Sequence, residues 1–299
     1  MANNYFENLD ALYEAGDNTA IETYILNAMS AEDFGSVPCA ALYNELAGYY
    51  RGSGRYDESE EAFNKALRIF ESISMEVSEE YATVLLNLSG LYRIMGCPGK
   101  SVDLYFGAMK KIEEAHGCDS YAYISVLNNL ALAYQDIGDY YYALEYAAKA
   151  LTLMRGRVLN ENEIAASLNN LAMIHLNLGD IDNADRLITE SLVIYDSFDK
   201  PDVHHAAALT TKGIISFRAG YHYGALDSFS KALMLTRLFF GENLEFAACK
   251  RNIADVYELL GDPVSAAAEL KEAAEIMEHN LGADHHAVYE IKQKLRGIN

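Results

Sequence analysis

The sequence predicts an all-α protein built from repeated pairs of helices. Glycines recur at intervals of 41 or 42 residues, at Gly54, Gly96, Gly138, Gly179, Gly220 and Gly261. The segment Leu127–Leu153 around Gly138 is typical of two helices joined by a tight turn, and the rest of the chain varies this pattern. Self-similarity at such a period indicates a solenoid, in which each repeat buries its apolar face against its neighbours.

Small residues at fixed distances from these glycines are the second observation. Seven residues before each glycine stand Ala47, Ser89, Ala131, Ala172, Gly213 and Ala254. Five residues after stand Ser59, Ser101, Ala143, Ala184, Ala225 and Ala266, and twelve after stand Ala66, Ala108, Ala150, Ser191, Ala232 and Ala273. Small side chains at these places allow two helix backbones to approach closely, so these columns predict a packed seam between the helices.

The third observation is that all four prolines fall at predicted helix starts, where the missing N–H costs nothing. The first helix of each repeat, helix A, is predicted over 39–52, 79–95, 120–137, 161–178, 202–219 and 243–260. Helix B is predicted over 56–72, 98–116, 140–156, 181–197, 222–240 and 263–280. The repeated glycines end each helix A, which suits a left-handed C-cap.

The whole chain is predicted to be one solenoid, because no flexible or low-complexity segment divides it. Residues 1–36 are interpreted as a degenerate capping hairpin with its turn near 16–18, and residues 37–281 as six repeats. Residues 282–299 are interpreted as a C-terminal capping region, with a last helix over about 284–297 whose basic end suits the helix dipole.

These columns resemble the tetratricopeptide repeat, with aromatic residues Tyr50, Tyr92, Tyr134 and Tyr257 at the helix-A aromatic place; His175 and Ser216 depart from it. The usual repeat has 34 residues. The excess here corresponds to about two helical turns, and the LNNLA opening of helix A and the segment Leu281–His285 resemble the kinesin light chain type. The resemblance implies a right-handed superhelical α-solenoid that binds a protein or peptide partner in its concave groove.

The composition limits the classes of partner that the chain is expected to bind. The net charge of −21 argues against nucleic acid and anionic membranes, which need a basic footprint. It favours neutral or basic ligands, unless it is only a soluble acidic surface. Four cysteines without a CxxC motif suit a reducing compartment. Since neither a signal peptide nor a membrane-spanning run is evident, the protein is expected to be cytoplasmic.

Asparagine recurs in helix A although it is a mediocre helix former. Nine residues before each glycine stand Glu45, Asn87, Asn129, Asn170, Thr211 and Asn252, and ten before stand Asn44, Leu86, Asn128, Asn169, Thr210 and Arg251. Helical geometry turns these positions away from the small-residue seam. By the resemblance, this side lines the groove, where each amide could donate to and accept from an extended peptide backbone. The alternative is that these amides tie one helix to the next or contact only water.

The remaining groove positions suggest a polarised surface. Arg51 and Arg93 would meet an anionic end of the ligand, Leu132, Met173, Ile214 and Phe217 would contact apolar side chains, and Asp255 would meet a cationic end. Ordinary variation at solvated positions is the alternative. Some relatives hold a C-terminal carboxylate with cations at places that carry Asn44, Gly48, Asn87, Ser125 and Asn129 here, which argues against that mode.

Nothing in the sequence predicts catalysis. No nucleophile elbow, phosphate loop, metal-binding spacing or cofactor motif occurs. The favoured function is a non-enzymatic scaffold that binds an extended segment in the groove. The alternatives are a ligand-responsive regulator acting through a separate output chain, and a structural assembly subunit using its outer face. Exposed tyrosines at Tyr141, Tyr142 and Tyr223 would suit such a face and a homo-oligomer, although packing is the commoner role of tyrosine in repeats.

Overall fold

A computed structural model describes residues 5–15, 18–156, 161–201 and 203–298. These ranges contain fifteen helices and no strand, so the all-α helix–turn–helix class is confirmed. The helices are α1 Tyr5–Ala15, α2 Asn18–Ser30, α3 Val37–Gly52, α4 Tyr56–Ser72, α5 Glu79–Ile94, α6 Pro98–His116, α7 Tyr121–Ile137, α8 Tyr140–Arg155, α9 Glu161–Asn177, α10 Ile181–Asp196, α11 Val203–Arg218, α12 His222–Phe240, α13 Leu244–Leu259, α14 Pro263–Leu281 and α15 His286–Ile298.

The turn between helices A and B has the same geometry in all six repeats. At Gly138, φ is +85°, the glycine N–H donates to the Gln135 carbonyl at 3.0 Å and the Asp139 N–H donates to the Tyr134 carbonyl at 2.9 Å. This is the Schellman arrangement, which satisfies two carbonyls at the helix end and favours glycine at the left-handed position. The same two bonds and a positive φ recur at the other five repeated glycines.

The predicted seam is present. All residues of the three small columns are buried. A fourth buried column lies nine residues after each glycine and consists of Phe63, Tyr105, Ala147, Ile188, Phe229 and Leu270. At Gly213 the approach is so close that an added Cβ would lie 2.5 Å from Cδ1 of Phe229. The seam is therefore built from small residues on both helices, with mostly larger residues of helix B between them.

The chain divides into two compact units, unit 1 over Met1–Leu153 and unit 2 over Met154–Asn299, with the boundary inside α8. In unit 1, helices α1 and α2 share an apolar cluster with α3 that includes Ile25 and Leu42. In unit 2, α15 packs against α14 through Ile291. The single array and its two capping segments stay a prediction, and residues 16 and 17 of the expected first turn lie outside the described residues.

Helices A of successive repeats pack side by side within each unit, α3 against α5 and α5 against α7 in unit 1, and α9 against α11 and α11 against α13 in unit 2. The candidate binding positions lie on these helices. Among the described residues, no helix combines the length and apolar composition needed to span a membrane.

Candidate binding groove

The candidate residues are half-buried on helices A, with one exception. Thr211 is buried, with 5% of its surface exposed. The half-buried ones are Asn44 and Arg51 on α3, Asn87 and Arg93 on α5, Asn128, Asn129 and Leu132 on α7, Asn169, Asn170 and Met173 on α9, Ile214 and Phe217 on α11, and Asn252 and Asp255 on α13. Half-burial leaves each of these side chains a surface that a ligand could contact.

Two cavities bring six of the candidates together in unit 2. The larger, about 530 Å³, is lined by Met173, Thr211, Ile214 and Asn252, together with Phe240 and Cys249. The smaller, about 240 Å³, is lined by Ile214, Phe217, Arg218, Phe229, Asn252 and Asp255. Ile214 and Asn252 belong to both, so the two cavities are neighbours. We call this combined surface the unit 2 groove.

Three asparagines of unit 2 have amide groups without a partner among the described residues. Asn170 and Asn252 form no hydrogen bond with any described residue. The side-chain oxygen of Asn169 is buried and has no partner in the described part of the chain. Because an amide has two donor hydrogens and an acceptor oxygen, these groups retain nearly their full capacity.

The amides of unit 1 are used differently. Asn87 donates to the side-chain oxygen of Asn44 at 3.0 Å, which joins α3 to α5. The Asn87 carbonyl accepts a long 3.4 Å bond from Arg51 Nη1, and the Asn129 amide donates to the Ser125 carbonyl of its own helix at 2.9 Å. The alternative role, in which asparagines tie neighbouring helices, therefore describes the Asn44–Asn87 pair.

Two charged candidates already have partners. Arg93 forms an ion pair with Asp136 at 3.1 Å. Asp255 forms one with Lys294 of α15, and Lys294 also lies 3.4 Å from Glu258. The last helix thus supplies one positive charge against two carboxylates, and this pairing leaves a weaker field for a cationic ligand group.

The thiol in the larger cavity is not a nucleophile. Cys249 donates to the Phe229 carbonyl at 3.2 Å, and burial raises its pKa to about 12. A thiol with that pKa is protonated at neutral pH and packs as a small apolar group. Among the described residues, no three His, Cys, Asp or Glu side chains form a group that could hold a metal ion.

Apolar side chains are also exposed on helices B. Val193 of α10 and Met234 and Leu238 of α12 are each more than 60% exposed. Met234 and Leu192 line a separate cavity of about 460 Å³ in unit 2, away from the candidate asparagines. As expected, Tyr141, Tyr142 and Tyr223 are all exposed, and the Tyr142 ring also stacks on Tyr134 with ring centroids 5.1 Å apart. Within unit 2, the exposed apolar side chains of α10 and α12 are a rival to the unit 2 groove.

Sequence reasoning missed Arg218, Ser101 and Tyr105. Arg218 lies two residues before Gly220, and its guanidinium donates to the Leu176 carbonyl at 3.3 Å. Tyr105 is the one residue with a polar side chain in the buried fourth column. Comparing that column across repeats would have singled it out.

Comparison with known proteins agrees with this architecture. Two family models, each described as tetratricopeptide repeat, match residues 38–105 and 80–156 in one case and 164–195 and 246–287 in the other. Together these matches cover well over half of the chain. The chain belongs to the tetratricopeptide repeat family.

Individual relatives of this tetratricopeptide protein are distant. The Arabidopsis thaliana protein kinesin light chain-related 2 is 22% identical over 288 residues, which is 93% of this chain and 43% of the relative. The chain thus spans less than half the length of the curated relatives it matches. These matches agree with the predicted kinesin light chain type.

Solved structures support the fold. A tetratricopeptide repeat protein from Parabacteroides merdae matches with a TM-score of 0.67 and 17% identity, covering 98% of this chain and 97% of that one. A Rap protein complexed with competence and sporulation factor matches with a TM-score of 0.66 and 15% identity, covering 94% and 82%.

Proposed function

We propose that this tetratricopeptide protein is a non-enzymatic scaffold that binds an extended segment of a partner protein in the unit 2 groove. The repeat fold implies a protein-interaction scaffold. The observation that carries the finer proposal is the pair of adjoining cavities, which are lined by Met173, Ile214 and Phe217 and bordered by the unpaired amide of Asn252.

The energetics favour binding through hydrogen bonds and apolar contacts together. A hydrogen bond contributes only about 1 kcal/mol, and association costs roughly 4–15 kcal/mol. Two amides alone therefore bind weakly, while burial of apolar ligand side chains adds about 25 cal/mol per Å². Asn170 and Asn252 would hold the ligand backbone, and the apolar residues of the unit 2 groove would select its side chains. The Rap complex supports the idea that this fold accommodates a second molecule.

Selection from a random peptide library on the purified full chain tests the proposal. Peptides recovered in the selection are measured by fluorescence anisotropy against Asn252→Ala and Met173→Ala. We expect each to weaken binding about fivefold or more, the equivalent of about 1 kcal/mol. The matched control is Met234→Ala on the exposed helix-B surface, which should change affinity less than twofold.

The opposite pattern would support the assembly-subunit alternative. If Met234→Ala abolished binding and the groove variants left it unchanged, the outer surface would be the working one. Circular dichroism of all three variants separates a lost contact from a lost fold.

A further inference from the structure

A cluster of polar groups in unit 1 surrounds Gly90 on α5. A Cβ added at Gly90 would lie 3.6 Å from Arg51 Nη1 and 3.8 Å from the hydroxyl oxygen of Tyr105. Ser101 and the charges of Arg93 and Arg51 act to lower the pKa of the Tyr105 hydroxyl, so these side chains surround it. We call it the Gly90 pocket, bounded by Arg51, Gly90, Arg93, Ser101 and Tyr105.

The pocket contains buried polar groups with no partner. Tyr105 and Ser101 are both fully buried, yet neither hydroxyl forms a hydrogen bond within the described residues. Ser101 influences the pKa of the Tyr105 hydroxyl, so the two hydroxyls are neighbours. Nε of Arg93 is also buried without a partner. A buried donor left unpaired costs free energy, and native structures rarely leave several together.

The serine at the equivalent position of the preceding repeat satisfies its hydroxyl. Ser59, which corresponds to Ser101 in the preceding repeat, donates to the Ala47 carbonyl at 2.7 Å. Ser191, in another small column, donates to the Ala165 carbonyl at 2.7 Å. The unpaired hydroxyl of Ser101 is therefore particular to this repeat, and so is the phenol in a column that elsewhere holds only Phe, Ala, Ile and Leu.

The charge of the pocket indicates that a ligand bound there would be anionic. Arg51 forms no ion pair with any described residue and has only the 3.4 Å bond to the Asn87 carbonyl. Arg93 is balanced by Asp136. One uncompensated positive charge thus remains, in a chain whose net charge is −21.

The donor set narrows the ligand further. Guanidinium groups have donors and no acceptor. Burial raises the pKa of Tyr105, against the opposing influence of Arg93, Ser101 and Arg51, so the phenol stays protonated at neutral pH and can donate. A planar anion with two acceptor oxygens suits a guanidinium with neighbouring hydroxyl donors.

We propose that the Gly90 pocket binds a carboxylate group of a peptide or protein ligand, with Arg51 as its charge partner and the Tyr105, Ser101 and Arg93 donors around it. The inference takes only the peptide or protein nature of the ligand from the proposed function, and it concerns unit 1 alone. The pocket differs from the site where some relatives hold a C-terminal carboxylate. The positions of that site carry no cation in this chain. The carboxylate comes from an acidic side chain or from a chain terminus.

Small probes test the pocket independently of peptide binding. The Nε–Hε signals of Arg51 and Arg93 are followed by NMR in the full chain at constant ionic strength, during titration with N-acetylglutamate α-amide or N-acetylglycine. N-acetylglutamine α-amide serves as the neutral counterpart. We expect saturable shifts at both arginines with the two acids and none with the neutral probe. The acid that binds more tightly identifies the source as a side chain or a terminus.

Gly90→Ala provides the sharpest variant. Its methyl group would make ordinary van der Waals contacts with Arg51 and Tyr105, so the fold has room for it, and alanine is the better helix former. We expect carboxylate affinity to fall at least tenfold while the unfolding midpoint in urea stays the same or rises. The control is Gly107→Ala on α6, where an added Cβ meets nothing within 4 Å; it should raise the midpoint similarly and leave affinity unchanged.

Tyr105→Phe removes only the unpaired hydroxyl. We expect a several-fold loss of affinity without loss of stability, because no protein hydrogen bond disappears. Equal shifts with acidic and neutral probes, or unchanged affinity in Gly90→Ala, would overturn the proposal. Because the probes are too small to require the unit 2 groove, such a failure would leave the proposed peptide binding untouched.

Discussion

Units 1 and 2 share one packing scheme but line their helices A differently. Six and three residues before the repeated glycine, unit 1 has Gly48, Arg51, Gly90 and Arg93 in its first two repeats. At the same positions, the first two repeats of unit 2 have Met173, Leu176, Ile214 and Phe217. The small columns are buried throughout. The seam therefore preserves the fold, and the lining is where the two units diverge.

The asparagines illustrate this divergence. Asn87 in unit 1 donates to Asn44 and so joins two helices, whereas Asn252 in unit 2 forms no hydrogen bond with a described residue. Both occupy the same column of the repeat. The column fixes the direction of the side chain, and the neighbouring repeat decides whether the amide has a protein partner.

The largest expected effect contrasts two glycines. Gly213→Ala in unit 2 should destabilise the protein by about 1–3 kcal/mol, because its Cβ would lie 2.5 Å from the buried ring of Phe229 and force repacking. Gly48→Ala in unit 1 meets nothing within 4 Å and should stabilise by up to about 1 kcal/mol through helix propensity.

Urea unfolding of both glycine variants measures the difference. A Gly213→Ala protein as stable as the wild type would show that the seam in unit 2 can relax. A destabilised Gly48→Ala protein would show that the groove side of α3 is more constrained than its open surroundings indicate.

A smaller contrast concerns the two asparagines. Asn87→Ala should cost about 1 kcal/mol, because the part-buried bond to Asn44 is lost. Asn252→Ala loses no protein hydrogen bond and should be neutral or stabilising by a few tenths of a kcal/mol. Thermal melts of the two variants decide the point, and equal shifts would mean that the two amides have the same structural role.

The fold could be predicted from the sequence because the six repeats can be compared with one another within a single chain. Six glycines at one spacing, small residues at three offsets and prolines at helix starts all depend on local geometry. Observed helices begin and end within two residues of the predicted limits wherever both ends are described, as at Tyr56–Ser72 and Pro263–Leu281.

The candidate site was harder to predict because its contacts join different repeats. The Asn87–Asn44 bond links residues 43 apart, and the Lys294–Asp255 pair links residues 39 apart. No column shows which of two half-buried side chains will reach across. Thr211 shows a second difficulty, since its column predicts an open position whereas the side chain is buried. The role of the fifteen candidate residues in binding stays a prediction.

The smallest expected effect comes from the pair that neutralises the acidic end of the unit 2 groove. Lys294→Gln removes the cation from Asp255 and Glu258, which are each about one-third exposed at the side chain. Solvent screening at that exposure limits the loss to about 0.5 kcal/mol. The loss should shrink between 0.05 M and 0.5 M salt, because the Debye length falls to a few ångströms. Lys271→Gln on α14 is the control, since Lys271 forms no ion pair with a described residue.

The free energy of unfolding that this ion pair contributes should fall as the pH rises. Burial of Lys294 opposes its charge, but the hydrogen bond and charges of Asp255 and Glu258 prevail and raise its pKa above the ordinary value. A raised folded pKa contributes stability that is present at neutral pH and is lost as the pH rises through it. Urea midpoints of wild type and Lys294→Gln should therefore differ at pH 7 to 9, begin to converge near the ordinary lysine pKa of about 10.5, and meet only above the raised folded pKa. A difference that persisted at high pH and high salt would mean that Lys294 stabilises the protein through the packing of its alkyl chain. The charges of Asp255 and Glu258 would then contribute little to that stability.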